Sequence, residues 1–291
     1  MPRIALPNKG RLADDTRELF TDAGLDVRVR GERALSASLG GIFDAIFVRA
    51  SDIPEFVADG AADLGVTGWD LVSESGRDVV SLLDLELGRC RLSVAATDDS
   101  GIAEAADVPS GARVATSFPR LTAAYFKTLG RTVQIVPVSG AAEIAPHLGI
   151  ADVIVDLVSS GSTLRVNGLH EVATVLESSA RLVAARTTAE SLSGDAADAR
   201  ALRGLVAALE SVIRAKGQRY LMANVPRDRL ADVRRILPGL GGPTVIDVLN
   251  GGAHVAVHAV VPAADIYQTI GDLRGVGATG VLVTRIERLV P

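Results

Sequence analysis

Short apolar runs alternate with segments of helical period through the first two thirds of the chain, the pattern of an α/β fold. PRIAL predicts a strand, and KGRLADDTRELFTDAG a turn running into an amphipathic helix closed by Gly24. FDAIFVRA predicts a second buried strand. SDIPEFVADG follows as a helix, with Ser51 or Asp52 as N-cap and Pro54 in its first turn. ADLGVTG, CRLSVAAT, ARVATS, VQIVPV, ADVIVDLV and ARLVAAR predict further strands.

The pattern G-x-A-D-x-x-V occurs twice, at residues 60–66 and 149–155, each time where a helix end enters a strand. A loop and a new helix follow both copies, TGWDLVSES after the first and SSGSTLRVNG after the second. Two similar lobes would set two strand-end loops across a cleft, where open α/β sheets bind ligands. Chance likeness in so short a pattern is the alternative. TTAESLSGDAAD reads as a linker before a long helix, DARALRGLVAALESVIRAKG. From Gln218 the order becomes β-α-β-β-α-β: QRYLMANV, PRDRLADVRRILPG, TVIDVL, HVAVHAVV, AADIYQTIGDLRGVG and GVLVTRIERL. That is the ferredoxin-like order, in a small separate domain.

Composition narrows the possible partners. The 291 residues have room for roughly two domains of about 150 residues each, and 48% of them are hydrophobic. Net charge is −5, from 30 Lys+Arg against 35 Asp+Glu, with no basic block of the kind a phosphate backbone calls for. Nucleic acid is not the expected partner. The one cysteine, Cys90, allows no internal disulfide and suits a reducing compartment. MPRIALPNKGRL lacks the apolar run of a signal peptide, and no span approaches the ~18 residues of a membrane helix. The expectation is a cytoplasmic globular protein.

Candidate chemistry gathers in ADVIVDLVSSGSTL, residues 151–164. A strand ending in small hydroxyl residues around Gly161 lets successive backbone N–H groups converge on an anion. A helix starting near Ser162 or Thr163 adds its N-terminal partial charge. Asp156 at the strand end can accept hydrogen bonds from sugar hydroxyls, so acid and anion nest together suit a ribose 5-phosphate. A plain strand-to-helix turn with a Ser or Thr N-cap is the other reading. No Lys follows the glycine, so this is not a Walker A loop.

A second group lies nearer the N-terminus. In PNKGRL, Lys9 and Arg11 flank Gly10 at a strand's carboxyl end, where cations grip phosphates or simply face solvent. Arg49 follows the apolar run AIFV, and either an anionic ligand or a bridge to Asp52 or Asp63 would satisfy it. Thr67, Gly68, Trp69 and Asp70 form the matching loop, with Trp69 stacking on a planar ligand or packing. His147, His170, His254 and His258 show no metal-ligand spacing with cysteine, and Cys90 has no evident activating partner. No G-x-S-x-G elbow supports nucleophilic hydrolysis.

EIAPHLGIADVIVDLVSSGSTL, Glu143 to Leu164, resembles the signature of the ATP phosphoribosyltransferase family of histidine biosynthesis. NKGRL, VRASDIP, DLGVTG, CRLSVA, ATSFP and YLMANVP…ILPGLGGPTV extend the likeness over nearly the whole chain, in the long form of the family. The resemblance implies a two-lobed catalytic core of type II periplasmic-binding-protein fold, lobe I at 1–91 and 178–216, lobe II at 92–177. It implies an ACT-like regulatory domain at 217–291. The implied reaction joins N1 of ATP to the anomeric carbon of phosphoribosyl pyrophosphate, with Mg²⁺, inversion and loss of pyrophosphate. By similarity, Glu143, Asp156, Ser159, Ser160, Gly161, Ser162 and Thr163 hold phosphoribosyl pyrophosphate. Lys9, Arg11, Arg49 and Asp70 would serve ATP and the departing pyrophosphate, the three cations as catalytic groups. Asn224, Leu240, Gly242, Thr244 and Gly280 match the family's site for histidine as feedback inhibitor, although Asn224 and Gly242 replace Asp or Ser of some relatives. The family forms homo-oligomers, hexamers built from dimers. Two other hypotheses are a two-lobed small-molecule-binding or amino-acid-sensing protein without catalysis, and a silent regulatory subunit.

Overall fold

The computed structural model describes residues 1–29, 35–248 and 252–290 and divides into two compact units. Residues Met1–Thr21 and Leu25–Val206 form the first, and Asp22–Gly24 with Ala207–Pro291 the second.

The first unit begins with β1 (Arg3–Pro7), α1 (Arg11–Asp22), β2 (Val27–Val29), β3 (Ser36–Leu39) and β4 (Phe43–Val48). Next come α2 (Ile53–Ala58), β5 (Leu64–Gly68), α3 (Trp69–Ser75) and β6 (Val79–Asp84). A second sheet takes β7 (Cys90–Thr97), β8 (Arg113–Thr116), β9 (Gln134–Pro137), β10 (Val153–Val158) and β11 (Leu169–Ser178). Helices α4 (Pro119–Thr128) and α5 (Ser162–Val166) lie between these strands in the chain. Then β12 (Ala180–Ala185) returns to the first sheet, followed by α6 (Arg186–Ser191) and α7 (Ala197–Ala215). The sheet orders are β2-β3-β4-β1-β5-β12-β6 and β11-β7-β10-β8-β9. The chain passes between the sheets twice, through residues 85–89 and through Ser179.

Burial on both faces explains the unbroken apolar runs. Ile4, Ala5 and Leu6 in β1, like Val153, Ile154 and Val155 in β10, are at most 1% exposed. Such strands pair in parallel, β1 with β4 and β5, β10 with β8, and leave only their ends to polar chemistry.

The repeated G-x-A-D-x-x-V motif proves to be one device used twice. Asp63, just before β5, donates its N–H to the carbonyl of Arg3 and accepts the Arg3 N–H on Oδ2 at 2.7 Å. Asp152, just before β10, does the same to Arg113, its Oδ2 taking the Arg113 N–H at 2.8 Å. The arginine side chains complete the match by donating to the carbonyls of Ala61 and Gly149, each at 2.7 Å. Each lobe thus pins the start of one parallel strand to the start of its neighbour.

In the second unit, β13 (Gln218–Pro226), α8 (Leu230–Ile236), β14 (Thr244–Asp247), β15 (His254–Pro262), α9 (Ile266–Gly275) and β16 (Thr279–Arg285) form an antiparallel sheet ordered β14-β15-β13-β16. This is the expected ferredoxin-like arrangement. Alternate residues Leu221, Ala223, Val225, Val255, Val257 and Val261 face Val233, Leu237 and Leu273 in its core. On the same strands, the intervening Met222 and Asn224 are exposed.

Several local readings are corrected. Strands β2, β3, β6 and β11 were not expected: β2 and β3 are short, and two register shifts in β11 break its alternation. Part of the linker-like stretch is helix α6. A 3₁₀ turn at Ala50–Asp52 leads into α2, so Ser51 bonds Asp52 and neither side chain caps the helix. The last residue of TVIDVL, Leu249, lies outside the described residues.

The Arg113 guanidinium, with the Arg113 N–H, holds the Asp152 carboxyl below its usual range. Its stabilisation is therefore present above the ordinary carboxylate pKa and lost as pH falls through the lowered value. Asp152→Asn should lower Tm by a few degrees at pH 7, and the gap to the parent should close in acid. A gap unchanged with pH in thermal unfolding would contradict the assignment.

Candidate functional site

β10 runs from buried Val153 to Val158 and delivers Asp156 to its carboxyl end, opposite Ser93 of β7. Next come exposed Ser159 and Ser160, buried Gly161, and α5 from Ser162, as the hydroxyl-rich pattern suggested. Gly161 sits at φ 72°, in the left-handed region that a side chain disfavours. Ser160 and Ser162 bond through their hydroxyls at 2.9 Å. Glu143 and residues 156–164 line a cavity of about 230 Å³. All seven residues assigned to phosphoribosyl pyrophosphate thus meet at one cavity. Burial pushes the Asp156 carboxyl above its ordinary range; the Leu157 N–H opposes that, and the nearby Glu143 charge adds to it. A half-buried acid beside a second acid calls for hydroxyl donors or a cation.

Behind the loop stand residues that local patterns did not single out. Arg91 donates to the Glu171 carboxylate, its Nε 2.6 Å from Oε2, and to the carbonyl of Ser159 at 3.1 Å. Ser93 also donates to Glu171, at 3.0 Å. Arg91 lay in plain view in CRLSVA, but its partner is 80 residues away.

Lys9, Arg11 and Arg49 are exposed at the carboxyl ends of β1 and β4. Arg11 stands 3.7 Å from Asp15. Arg49 pairs with neither Asp52 nor Asp63, which bond Ser51 and Arg3 instead. Trp69 is half-buried, with the Arg181 guanidinium 5.9 Å from its ring centre and 3.3 Å from Asp84. Asp70 is placed differently from the three cations. It is 4% exposed, and its Oδ1 accepts the Ser178 hydroxyl at 2.6 Å while its N–H donates back to that oxygen at 3.0 Å.

That contact orients the two sheets. Both β10 and β11 run antiparallel to β7, so Ser178 and Asp156 share one edge of the second sheet. Asp70 follows β5, whose carboxyl end shares an edge with those of β1 and β4. Their bond joins the carboxyl edge of the first sheet to the edge of the second sheet that also carries the loop at 159–163.

Other polar groups have local partners. His170 meets Asp98 at 3.2 Å, His147 meets the Asn167 carbonyl at 2.6 Å, and His258 meets Tyr220. Burial pushes the Cys90 thiol up, with the Asp70 charge adding, which leaves it unactivated. In the second unit the candidate effector residues are spread over several strands and a loop. A Cβ on Gly280 would stand 3.2 Å from Asn224, whereas Thr244 lies two strands from Asn224 and Leu240 lines a separate cavity of about 520 Å³.

Comparison with known proteins decides the family. The family described as HisG, ATP phosphoribosyltransferase, matches residues 49–211, and the HisG C-terminal domain matches 215–288. The chain belongs to the ATP phosphoribosyltransferase family. It is 65% identical to the ATP phosphoribosyltransferase of Gemmatimonas aurantiaca across 100% of both chains. It is 50% identical to that of Halobacterium salinarum across 99% of both. The ATP phosphoribosyl transferase (HisG:HisZ) complex from Thermotoga maritima has a chain with TM-score 0.62 and 25% identity, covering 72% of this chain and 99% of its own length. The catalytic unit accordingly has the fold of that transferase chain, two lobes each built on its own sheet. As an ATP phosphoribosyltransferase, the protein transfers phosphoribosyl from phosphoribosyl pyrophosphate to ATP with release of pyrophosphate, the first step of histidine biosynthesis. Among the described residues no helix is long and apolar enough to cross a membrane.

Removing a hydroxyl from a buried carboxylate costs about 1–3 kcal/mol. Ser178→Ala should lower the unfolding free energy of the catalytic unit by that amount in urea titration, and Ser178→Thr should restore most of it. No difference between the two would show that Asp70 does not depend on this bond.

Proposed function

We propose that phosphoribosyl pyrophosphate lies with its 5-phosphate on the loop at 159–163 and its ribose hydroxyls on Asp156 and Glu143. The observation that carries this is the single cavity lined by both acids and the whole loop. Lys9, Arg11 and Arg49 then take the phosphates of ATP and the departing pyrophosphate from the facing edge. Asp70 acts in this reading through Ser178, keeping the two edges in register, and not as an ATP ligand.

Little acid–base work is needed. Positive charge grows on the ribose and negative charge on the leaving group as the glycosidic carbon loosens from pyrophosphate. The Asp156 carboxylate favours the first and the lobe I cations the second. Holding two polyanions in line for inversion removes an entropic barrier that can be worth roughly 7–11 kcal/mol in well-oriented cases.

Mg²⁺ fits this arrangement. No three His, Cys, Asp or Glu residues cluster to cage an ion among the described residues. The close pair Glu143 and Asp156 suits an ion that takes one or two carboxylates and fills its shell with substrate oxygens and water. When bound with substrate, Mg²⁺ would supply charge neutralisation at the pyrophosphate.

Histidine feedback belongs to the second unit in this reading, on the face that carries Asn224, Gly280 and Thr244, with Leu240 and Gly242 at its margin. A homo-oligomer from dimer to hexamer and a cytoplasmic location complete the proposal. The whole-length relatives favour catalysis over passive binding or a silent subunit.

Gly161→Val forces a β-branched residue into the left-handed region, with its Cβ 3.3 Å from Glu171 Oε1 and 3.4 Å from Arg165 Nη1. The KM for phosphoribosyl pyrophosphate should rise about tenfold or more, since strain of roughly 1–2 kcal/mol falls on that seat. The KM for ATP should stay within about twofold, a smaller change than a single lost hydrogen bond makes. Equal rises in a pyrophosphatase-coupled assay would move the phosphate elsewhere. Thr244→Val should relieve inhibition by histidine and leave the uninhibited rate near normal; unchanged inhibition would place the effector elsewhere.

A further inference from the structure

An anion seat made of backbone needs its peptide planes turned the right way, and exposed loop peptides are free to flip. Two consecutive peptides here are held by cations. The Ser159 carbonyl accepts from Arg91 Nη1 at 3.1 Å, and the Ser160 carbonyl accepts from Arg165 Nη1 at 3.4 Å. A trans peptide sets C=O and N–H on opposite sides. Pinning the two carbonyls therefore turns the N–H groups of Ser160 and Gly161 away from the arginines. Neither N–H donates to an acceptor among the described residues. Arg91, Arg165 and Glu171 are absent from the cavity lining, which the loop itself forms.

Glu171 sets the direction of the shorter bond. It engages Nε and Nη2 of Arg91, leaving Nη1 for Ser159, and is itself fixed by Ser93. Ser93 stands opposite Asp156 in the sheet, so the brace and the acid share a base. The Arg91 guanidinium holds the Glu171 carboxyl below its usual range, consistent with a standing ion pair. Both partners are about a third exposed or less, at 31% and 27%. Its charge matched by Glu171, Arg91 serves the loop and not the ligand.

We infer that Arg91 and Glu171 are positioning residues for phosphoribosyl transfer: their ion pair clamps the Ser159 peptide so that the next amides face the substrate phosphate. This rests on the reading that the 159–163 loop holds the 5-phosphate. Both the ion pair and the clamp lie outside the residues the family resemblance assigned to substrates.

The test uses the full-length enzyme and initial rates with each substrate varied. Arg91→Met and Glu171→Gln should each raise the KM for phosphoribosyl pyrophosphate, Arg91→Met by about tenfold or more, as expected for a lost charged hydrogen bond. The KM for ATP should hold within about twofold, below what one lost hydrogen bond would cause. Arg91→Lys, which keeps one donor for Ser159, should recover part of the loss. Circular dichroism and Tm show whether each variant folds; should Arg91→Met fail to fold, Arg91→Lys and Glu171→Gln carry the test. A lowered Tm with both KM values unchanged would mean the pair is only structural and would overturn the inference. Gly161→Val, measured alongside, separates the two levels. If it raises the KM for phosphoribosyl pyrophosphate while the Arg91 and Glu171 variants do not, the clamp is wrong and the seat stands. If it spares that KM, the seat itself is wrong and the clamp falls with it.

Discussion

Parallel strands buried on both faces can bear function only at their ends, and this constraint organises the catalytic unit. Apolar strands such as β1 and β10 are buried on both faces along most of their length, so the polar groups of consequence gather at or near their carboxyl ends. The Asp63–Arg3 and Asp152–Arg113 clamps fix the opposite ends of the strands. With one end pinned and the faces packed, the carboxyl edges become stable platforms. The bond between Asp70 and Ser178 ties those two platforms together.

Once the edges meet, the chemistry divides between them. The first-lobe edge offers exposed cations in Lys9, Arg11 and Arg49, suited to phosphates that arrive and leave. The second-lobe edge offers a left-handed glycine, small hydroxyls and a half-buried acid. In the proposed arrangement that edge grips the sugar phosphate through backbone dipoles, which need no side-chain reorganisation during transfer. The arginines on this side are turned to the back of the loop, where they shape it.

Much of this could be read from local sequence, because local residues cause it. An apolar run, then an acid, then hydroxyls about a glycine predicted β10, its loop and α5 together, and the order of elements after Gln218 predicted the small antiparallel domain. What escaped was set by distant partners. The family resemblance assigned Asp70 to ATP, but no local pattern pointed to its bond with Ser178, 108 residues on. Glu171 sits in β11, whose irregular register hides the alternation that marks a strand. The effector candidates matched a pattern but are spread over β13, β14 and β16 and their loops, which no spacing in the chain foretells.

The central claim concerns where one phosphate group goes. A crystal structure of the enzyme with phosphoribosyl pyrophosphate and Mg²⁺ tests it most directly. The account predicts 5-phosphate oxygens about 3 Å from the backbone nitrogens of Ser160 and Gly161, with the ribose hydroxyls on Asp156. A 5-phosphate held by Lys9, Arg11 or Arg49, with the loop around Gly161 empty, would contradict it.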